Sequence, residues 1–272
     1  MDNRPIGIFD SGLGGLTVLR ETMDLLPAEH LVYFGDSGRA PYGTKSKEVI
    51  VKYTFQDMNF LLSNNVKMLV MGCNTASACS LDKVRKSFQV PIIDVVGPGA
   101  RAAASQTKNG KIGIIGTAAT VGSKVYEKAI LQHNPNLQVF SQACTMFVPL
   151  VEEGWWENDI AERVCREYLE PLKAQGVDTL VLGCTHYPFL KNTIQKVMGP
   201  DVILVNSAVE VAKVVKETLA ELSLANDGSS PAQYDFYTSD SVEKFESLGS
   251  TFLNREIKNA KKADIERYAS DC

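Results

Sequence analysis

The sequence predicts an α/β protein made of two pseudo-symmetric, doubly wound parallel-sheet domains. Three observations support this fold class. Short runs rich in β-branched residues alternate with amphipathic helical patterns along the 272 residues, and this alternation is typical of parallel sheets covered by helices on both faces. Strand patterns recur in the same order in the two halves. A Gly-Cys pair also follows one central strand in each half.

The predicted elements alternate from the start of the chain. Strands are expected at residues 5–9, 30–35, 68–71, 92–96, 112–115, 138–142, 179–182 and 202–205. The helices predicted between them include 47–63, 120–132, 158–175 and 207–223. The tail adds a strand at 234–238 and a helix from Ser241, and the charged segment 258–267 is interpreted as the end of a solvated helix.

Three pairs of motifs suggest an internal duplication. They are IGIFDS (6–11) with IGIIGT (112–117), VKMLVMGCNTAS (66–77) with VDTLVLGCTHYP (177–188), and PIIDVV (91–96) with VILVNS (202–207). Any two parallel strands look alike, but the shared Gly-Cys favours duplication. Because the tail has no counterpart in the middle of the chain, it is expected to pack on the first half. The predicted domains are therefore 1–97 with 208–272, and 98–207.

Composition and charge exclude several classes of protein. The chain is 44% hydrophobic and 22% charged, as ordinary globular proteins are. Its net charge of −4 gives no general attraction to nucleic acid or to an anionic membrane. The acidic start predicts no secretory signal, and the longest apolar stretch, 177–182, is too short to span a bilayer. Six cysteines without a C-x-x-C pair and three scattered histidines predict reduced thiols, no zinc site and a cytoplasmic protein.

Cys73 and Cys184 are the strongest candidates for chemistry. Each stands where a predicted strand ends and a helix begins, a position where ligands bind in open α/β sheets and where the helix N-terminus favours a thiolate. A lone cysteine there would be interpreted as a small buried hydrophobe, but two at equivalent places in a repeat favour function. A thiolate and a thiol on opposite faces of a carbon can invert it, exchanging the roles of base and acid.

The loop after the first strand, Phe9-Asp-Ser-Gly-Leu-Gly-Gly15, predicts a site for a small anionic group. Its glycines let backbone amides approach such a group. The loop departs from the dinucleotide fingerprint, because Thr17 stands where the third glycine belongs. Asp10 and Ser11 are therefore placed for a small substrate, and the alternative is that either one caps the following helix.

Other candidates are weaker on their own. Asp36 and the Pro41-Tyr42-Gly43 turn follow the second strand, although turns collect Pro and Gly in any case. Glu152 is also consistent with an ordinary surface acid, whereas His186 can polarise a substrate or tune Cys184. No partner motif accompanies the remaining histidines and cysteines, which are His30, His133, Cys79, Cys144, Cys165 and Cys272.

Together these motifs resemble the glutamate racemase family, within the wider aspartate/glutamate racemases. The matching segments are FDSGLGGL (9–16), GDSGRAPYG (35–43), GCNTASA (72–78), PLVEEG (149–154) and GCTHYP (183–188). The resemblance implies that two domains enclose L- or D-glutamate in an active site between them, with no metal, pyridoxal phosphate or nucleotide as cofactor. It also implies D-glutamate supply for peptidoglycan, hence for cell-wall biogenesis and cell shape, and it allows a homodimer.

The resemblance also implies the role of each site residue. Cys73 removes the α-proton of D-glutamate and Cys184 that of L-glutamate. Asp10 and His186 assist their respective thiols, with Asp36 and Glu152 as weaker auxiliaries. The implied substrate contacts are Asp10, Ser11, Pro41, Tyr42, Gly43, Asn74, Thr75, Thr117, Thr120, Thr185 and His186. One departure from the family pattern is Asn206-Ser207, where an acidic residue is expected before the serine.

Three alternatives compete with this interpretation. A racemase for aspartate would lack this combination of FDSGLGG and PYG, and a decarboxylase on the same fold would keep only one catalytic cysteine. A non-catalytic amino-acid-binding module would need no matched thiols. The choice of glutamate over other acidic amino acids depends on the resemblance alone.

Overall fold

The computed structural model describes residues 1–270, so that Cys272 lies outside the described residues. Its strands are β1 (Ile6–Asp10), β2 (Leu31–Gly35), β3 (Met68–Met71), β4 (Ile92–Asp94), β5 (Lys111–Gly116), β6 (Gln138–Ala143), β7 (Thr179–Gly183), β8 (Ile203–Asn206), β9 (Tyr234–Thr238) and β10 (Lys261–Lys262). Its α-helices are α1 (Leu16–Leu25), α2 (Lys47–Ser63), α3 (Asn74–Ser87), α4 (Val96–Gln106), α5 (Ala118–Ser123), α6 (Val125–His133), α7 (Phe147–Glu152), α8 (Asp159–Ala174), α9 (Lys191–Met198), α10 (Ser207–Glu221) and α11 (Val242–Leu253). Short 3₁₀ helices cover Ser37–Arg39, Tyr42–Thr44, Tyr187–Leu190 and Ile265–Arg267.

Two parallel sheets confirm the predicted fold class. The first has the strand order β10-β9-β2-β1-β3-β4 and the second β6-β5-β7-β8, and every pairing is parallel. Strands β1, β2, β3 and β7 are buried along their whole length, as expected where helices cover both faces. The apolar, β-branched runs of the sequence form these strands because a pleated, buried surface accommodates such side chains.

The internal duplication is visible in the strand order. The four central strands of the first sheet run β2-β1-β3-β4, and the four strands of the second run β6-β5-β7-β8 in the corresponding order. Each motif pair of the sequence falls on equivalent strands: β1 with β5, β3 with β7, and β4 with β8. The strands of the first sheet lie within residues 1–97 and 208–272, and those of the second within 98–207. The domain boundaries themselves stay a prediction.

Two predicted elements differ from the structure. The helix expected at 120–132 is divided into α5 and α6, because Lys124 adopts a left-handed conformation with φ of 56° and turns the chain there. The prediction of a solvated helix end at 258–267 is wrong. This segment pairs through β10 with β9, ends in the 3₁₀ helix Ile265–Arg267, and buries Ala263 and Ile265 against the first domain. Charged residues between these apolar positions gave the segment its helical appearance.

A buried ion pair links the residue before β3 to the N-terminal residues and to the segment that follows α10. The Lys67 side chain is fully buried, and its Nζ lies 2.6 Å from Glu29 Oε2. The same ammonium donates hydrogen bonds to the carbonyl oxygens of Asp2 at 2.6 Å and Leu224 at 2.7 Å. Glu29 in turn accepts a hydrogen bond from the Asn226 backbone at 2.8 Å. This cluster lies at the amino end of β3, whereas Cys73 follows its carboxyl end.

None of the helices within residues 1–270 is both long enough and apolar enough to cross a bilayer.

We expect Lys67→Met to destabilise the protein by about 3–5 kcal/mol, because it leaves the Glu29 carboxylate buried without its counter-ion. Urea unfolding measures this loss of stability, and any activity of the folded variant should stay unchanged. The double variant Lys67→Met/Glu29→Gln removes both charges and should recover a large part of the stability. A single-variant loss below about 1 kcal/mol would show that water already solvates this pair.

Candidate active site

The carboxyl ends of the two sheets face each other across a small cavity. The cavity has a volume of about 30 Å³, which is room for about one or two water molecules. Its lining comes from both domains: Ser11, Gly12, Ala40, Pro41, Tyr42, Gly43, Cys73, Asn74, Thr75, Thr117, Val148, Glu152, Cys184, Thr185 and His186. Both cysteines of the repeated Gly-Cys pairs therefore open onto one enclosed space.

Three of the predicted site residues lie behind the cavity wall. Asp10 is fully buried, and its carboxylate accepts hydrogen bonds from the Gly12 backbone at 2.9 Å and the Thr185 hydroxyl at 3.4 Å. Asp36 is also fully buried and contacts side chains outside the cavity lining. Thr120 contacts the hydroxyl of Thr117 at 3.0 Å. These three residues contact residues of the wall, and their roles in catalysis and substrate binding stay predictions.

Cys73 occupies the N-cap position of α3. Its sulfur accepts a hydrogen bond from the Ala76 backbone at 3.4 Å and lies 3.5 Å from the Ser11 hydroxyl. Burial and the nearby Asp10 carboxylate nevertheless raise the pKa of the Cys73 thiol to about 12. The prediction that a helix N-terminus favours the thiolate is therefore wrong for this cysteine, because desolvation outweighs the helix dipole in a closed cavity.

Cys184 has a different electrostatic environment. His186 Nδ1 lies 3.9 Å from the Cys184 sulfur, and Nε2 lies 3.4 Å from Glu152 Oε1. Burial lowers the pKa of His186, but its contacts with Cys184 and Glu152 raise it overall to about 10. The raised pKa favours the imidazolium form of His186, which can donate a hydrogen bond to the Cys184 sulfur. The same contact lowers the pKa of Glu152, whose carboxylate balances the imidazolium charge.

Reciprocal contacts hold the loops of the two domains together. In one direction, the Thr75 hydroxyl lies 2.9 Å from that of Thr117. In the other, the loop after β1 packs against Thr185 and His186 so closely that a Cβ atom on Gly14 would overlap Thr185 Oγ1 and lie 2.7 Å from His186 Nδ1. Each loop that follows a Gly-Cys strand therefore rests on the loop that follows the first strand of the other domain.

The sequence reasoning missed three residues of this region. Gly14 was noted only as part of a glycine-rich loop, and Val148 precedes a recognised motif without belonging to it. Tyr126 was not singled out, although its hydroxyl accepts a hydrogen bond from Asn74 Nδ2 at 2.7 Å and lies 3.2 Å from the Ser207 hydroxyl. Tyr126 gave no sequence signal, because its contacts join three distant parts of the chain.

Within residues 1–270, the cysteines are all free thiols: Cys73, Cys79, Cys144, Cys165 and Cys184. The same range contains no group of three or more His, Cys, Asp and Glu side chains arranged to hold a metal ion. Cofactor independence itself stays a prediction.

Known proteins resemble this chain along almost its whole length. The family described as Asp/Glu/Hydantoin racemase matches residues 15–213. A glutamate racemase from Geobacter metallireducens is 45% identical over 263 residues, 97% of each chain, and one from Neisseria meningitidis is 48% identical over 255 residues, 93% of this chain and 94% of its own. The crystal structure of a glutamate racemase from Francisella tularensis in complex with D-glutamate has a TM-score of 0.93 at 39% identity, covering 98% of this chain and 100% of its own.

We expect Gly14→Ala to lower kcat/KM by about 100-fold, because the added methyl group must displace Thr185 and His186, and a shift of about 1 Å in such groups has this effect. Steady-state racemisation kinetics measure the change. Gly12→Ala is a matched variant of the same loop, whose added Cβ would meet only Ala40 at an ordinary 3.7 Å, and it should lose far less activity. Equal losses in the two variants would contradict the importance of the contact between Gly14 and His186.

Proposed function

The chain belongs to the Asp/Glu/Hydantoin racemase family, and we propose that it interconverts L- and D-glutamate by proton transfer between Cys73, Cys184 and the α-carbon. The prediction of a glutamate racemase is confirmed by near-full-length likeness to glutamate racemases. We propose the two-base route because Cys73 and Cys184, from equivalent positions of the two domains, line one cavity.

The charges around the two sulfurs suggest the direction in which the free protein is prepared to react. In the direction from L- to D-glutamate, Cys184 beside His186 acts as base, and Cys73, whose pKa burial raises to about 12, acts as acid. Cys184 takes the α-proton of L-glutamate, and Cys73 delivers its proton to the opposite face of the carbanion. The product is D-glutamate, and the two sulfurs have exchanged protonation states.

The carbanion formed between these steps needs electrostatic support. Residues of the loops after β1 and β3 line the cavity, as do Thr117 and Thr185. Their backbone amides and hydroxyls can donate hydrogen bonds to the α-carboxylate, on which negative charge grows as the proton leaves. A protonated His186 places a positive charge beside Cys184. This charge can stabilise the negative charge that moves from the sulfur to the substrate.

We also propose a cellular role from this activity. D-glutamate made by this protein supplies the peptide stem of peptidoglycan, and the reduced thiols that the chemistry requires place the protein in the cytoplasm. The substrate pair is the small-molecule partner, and a homodimer is compatible with this proposal. Circular dichroism of L-glutamate incubated with the pure protein tests the activity. L-aspartate in a parallel cuvette separates the aspartate alternative, and the absence of any change with either substrate would leave the decarboxylase and the binding-module alternatives.

Replacement of either cysteine by serine should abolish racemisation, because inversion needs a group on each face and a hydroxyl is a far weaker base at neutral pH. A glutamate analogue with a β-leaving group needs only deprotonation. Cys184→Ser should therefore still eliminate from the D-analogue through Cys73, and Cys73→Ser from the L-analogue through Cys184. Release of the leaving group measures both reactions. Loss of both analogues in both variants would refute the assignment of one cysteine to each face.

In the ligand-free protein, iodoacetamide should alkylate Cys184 before Cys73 at neutral pH. The reason is that a thiolate is the reactive species, and Cys73 with a pKa of about 12 is almost wholly thiol below that pH. Mass spectrometry of peptides after brief labelling measures the order. His186→Asn removes the imidazole ring beside the Cys184 sulfur and should reduce the preference. Faster labelling of Cys73 would reverse the proposed resting state.

A further inference from the structure

Behind the 41–43 turn, two buried carboxyl groups share one guanidinium and one phenol. The four side chains, Asp36, Arg39, Tyr42 and Asp57, are called here the Arg39 cluster. Asp36, Tyr42 and Asp57 are almost fully shielded from solvent, and the Arg39 side chain is only 10% exposed. Asp57 belongs to the middle of α2 and was not singled out from the sequence. One cation beside two buried carboxyl groups is an unusual charge count, because a buried carboxylate without its own counter-charge is strongly disfavoured.

Within the Arg39 cluster, the guanidinium and the phenol each contact both carboxyl groups. Arg39 donates from Nε to Asp36 Oδ2 at 2.7 Å and from Nη2 to Asp57 Oδ1 at 3.0 Å. Asp36 also accepts from the Ser239 hydroxyl at 2.7 Å. The Tyr42 hydroxyl contacts Asp36 Oδ2 and lies 2.8 Å from Asp57 Oδ2. Tyr42 thus touches two carboxyl groups with a single hydroxyl.

A phenol carries one proton, so it can donate to only one of these two oxygens. Burial and the neighbouring carboxyl groups raise the pKa of Tyr42 well above its usual range, so the phenol is neutral. The second contact therefore needs a proton from a carboxylic acid. Asp36 already accepts from Arg39 and Ser239, and Oδ2 also faces Tyr42, so its oxygens serve as acceptors. On Asp57, Oδ1 accepts from Arg39, which leaves Oδ2 as the atom that can carry the proton.

We propose that Asp57 is a neutral carboxylic acid and a positioning residue for the substrate-binding turn, donating from Oδ2 to the Tyr42 hydroxyl, which donates to Asp36. This proposal rests on the proposed function, because the turn matters only if a substrate binds against it. The arrangement satisfies every polar contact of the cluster and leaves one cation, Arg39, beside one anion, Asp36. Consistent with it, burial and the Asp36 charge raise the pKa of Asp57 well above its usual range.

The Arg39 cluster acts on the cavity through Tyr42. Because the phenol points into the cluster, the turn presents its backbone to the cavity, whose wall includes Pro41, Tyr42 and Gly43. A Cβ atom on Gly43 would lie 2.7 Å from Thr117 Cβ, so the turn has little room to move toward the other domain. Anchoring at Tyr42 prevents movement in the opposite direction. The turn is therefore fixed between Thr117 and the buried cluster.

Charged groups around Asp57 come from several elements. Asp36 and Arg39 follow β2, and Glu266 of the C-terminal 3₁₀ helix lies 3.3 Å from Arg39 Nη1 at the solvent side. The ring of Tyr53 lies under the guanidinium, 4.0 Å from its carbon. Asp10, on the adjacent strand, adds a weaker repulsion that also favours the neutral acid. Arg39 opposes protonation of Asp57, as a hydrogen bond donated by Tyr42 would, but Asp36 already balances the Arg39 charge and Tyr42 donates to Asp36 instead.

Three variants test the proton assignment. Asp57→Asn keeps an oxygen for Arg39 and an N–H for Tyr42, so it mimics the neutral acid, whereas Asp57→Leu keeps neither contact. We expect Asp57→Leu to raise KM for glutamate about 10-fold with kcat within about 3-fold, since a fixed binding turn is lost. Asp57→Asn should restore KM to within about 3-fold of the original value. Asp36→Asn presents a donor where acceptors are needed and should raise KM at least as much as Asp57→Leu.

Infrared spectroscopy tests the proton directly and without any enzymatic assay. The difference spectrum between the original protein and Asp57→Asn at neutral pH should contain the carbonyl band of a protonated carboxylic acid, which the difference spectrum for Asp36→Asn should lack. A missing band would show Asp57 to be ionised and overturn the proposal, even if Asp57→Leu failed to fold. Equal KM values for Asp57→Asn and Asp57→Leu would also overturn it. If the original protein did not racemise glutamate, the proposed function would fail while the infrared result would still decide the proton on Asp57.

Discussion

Reciprocal packing of the strand-end loops is the constraint on which the site depends. The loop after β1 rests on the loop after β7, and the loop after β5 on the loop after β3, so that neither domain forms the cavity alone. At Gly14 the approach is close enough to exclude any side chain. Residues from two independent sheets are thereby held within one small space. Chemistry on both faces of a carbon requires this, because a single sheet can present groups to only one side of a bound molecule.

A nearly symmetric backbone carries an asymmetric set of charges. Cys73 and Cys184 follow equivalent strands, yet Cys73 has a carboxylate, Asp10, nearby and Cys184 has an imidazolium, His186. Burial and the Asp10 carboxylate raise the pKa of Cys73, whereas the group beside Cys184 is one whose own pKa is raised. Equivalent backbone positions therefore place the two sulfurs in different electrostatic environments.

Local sequence patterns predicted the strands, helices and motifs of this protein better than they predicted the contacts between residues distant in the chain. The strand β3 and the helix α2 were predicted to their last residue, because apolar periodicity is a local signal, and the structure adds Ser46 as the N-cap of α2. Cys73 and Cys184 could be found because they repeat. The segment 258–267 was misinterpreted, since pairing of β10 with β9 depends on a distant strand. Asp36 was expected near the chemistry, and only the fold reveals that its partners are Arg39, Tyr42 and Ser239.

The unequal size of the two sheets has a structural consequence for the site. The strand β9, which the second domain lacks, pairs with β2 and brings Ser239 to the Asp36 carboxylate. The tail thereby supports the 41–43 turn from outside. In the second domain the equivalent connection, after β6, is the helix α7, which lines the cavity with Val148 and Glu152. One wall is therefore a turn fixed by buried hydrogen bonds, and the other is a short helix whose Glu152 remains half exposed beside His186.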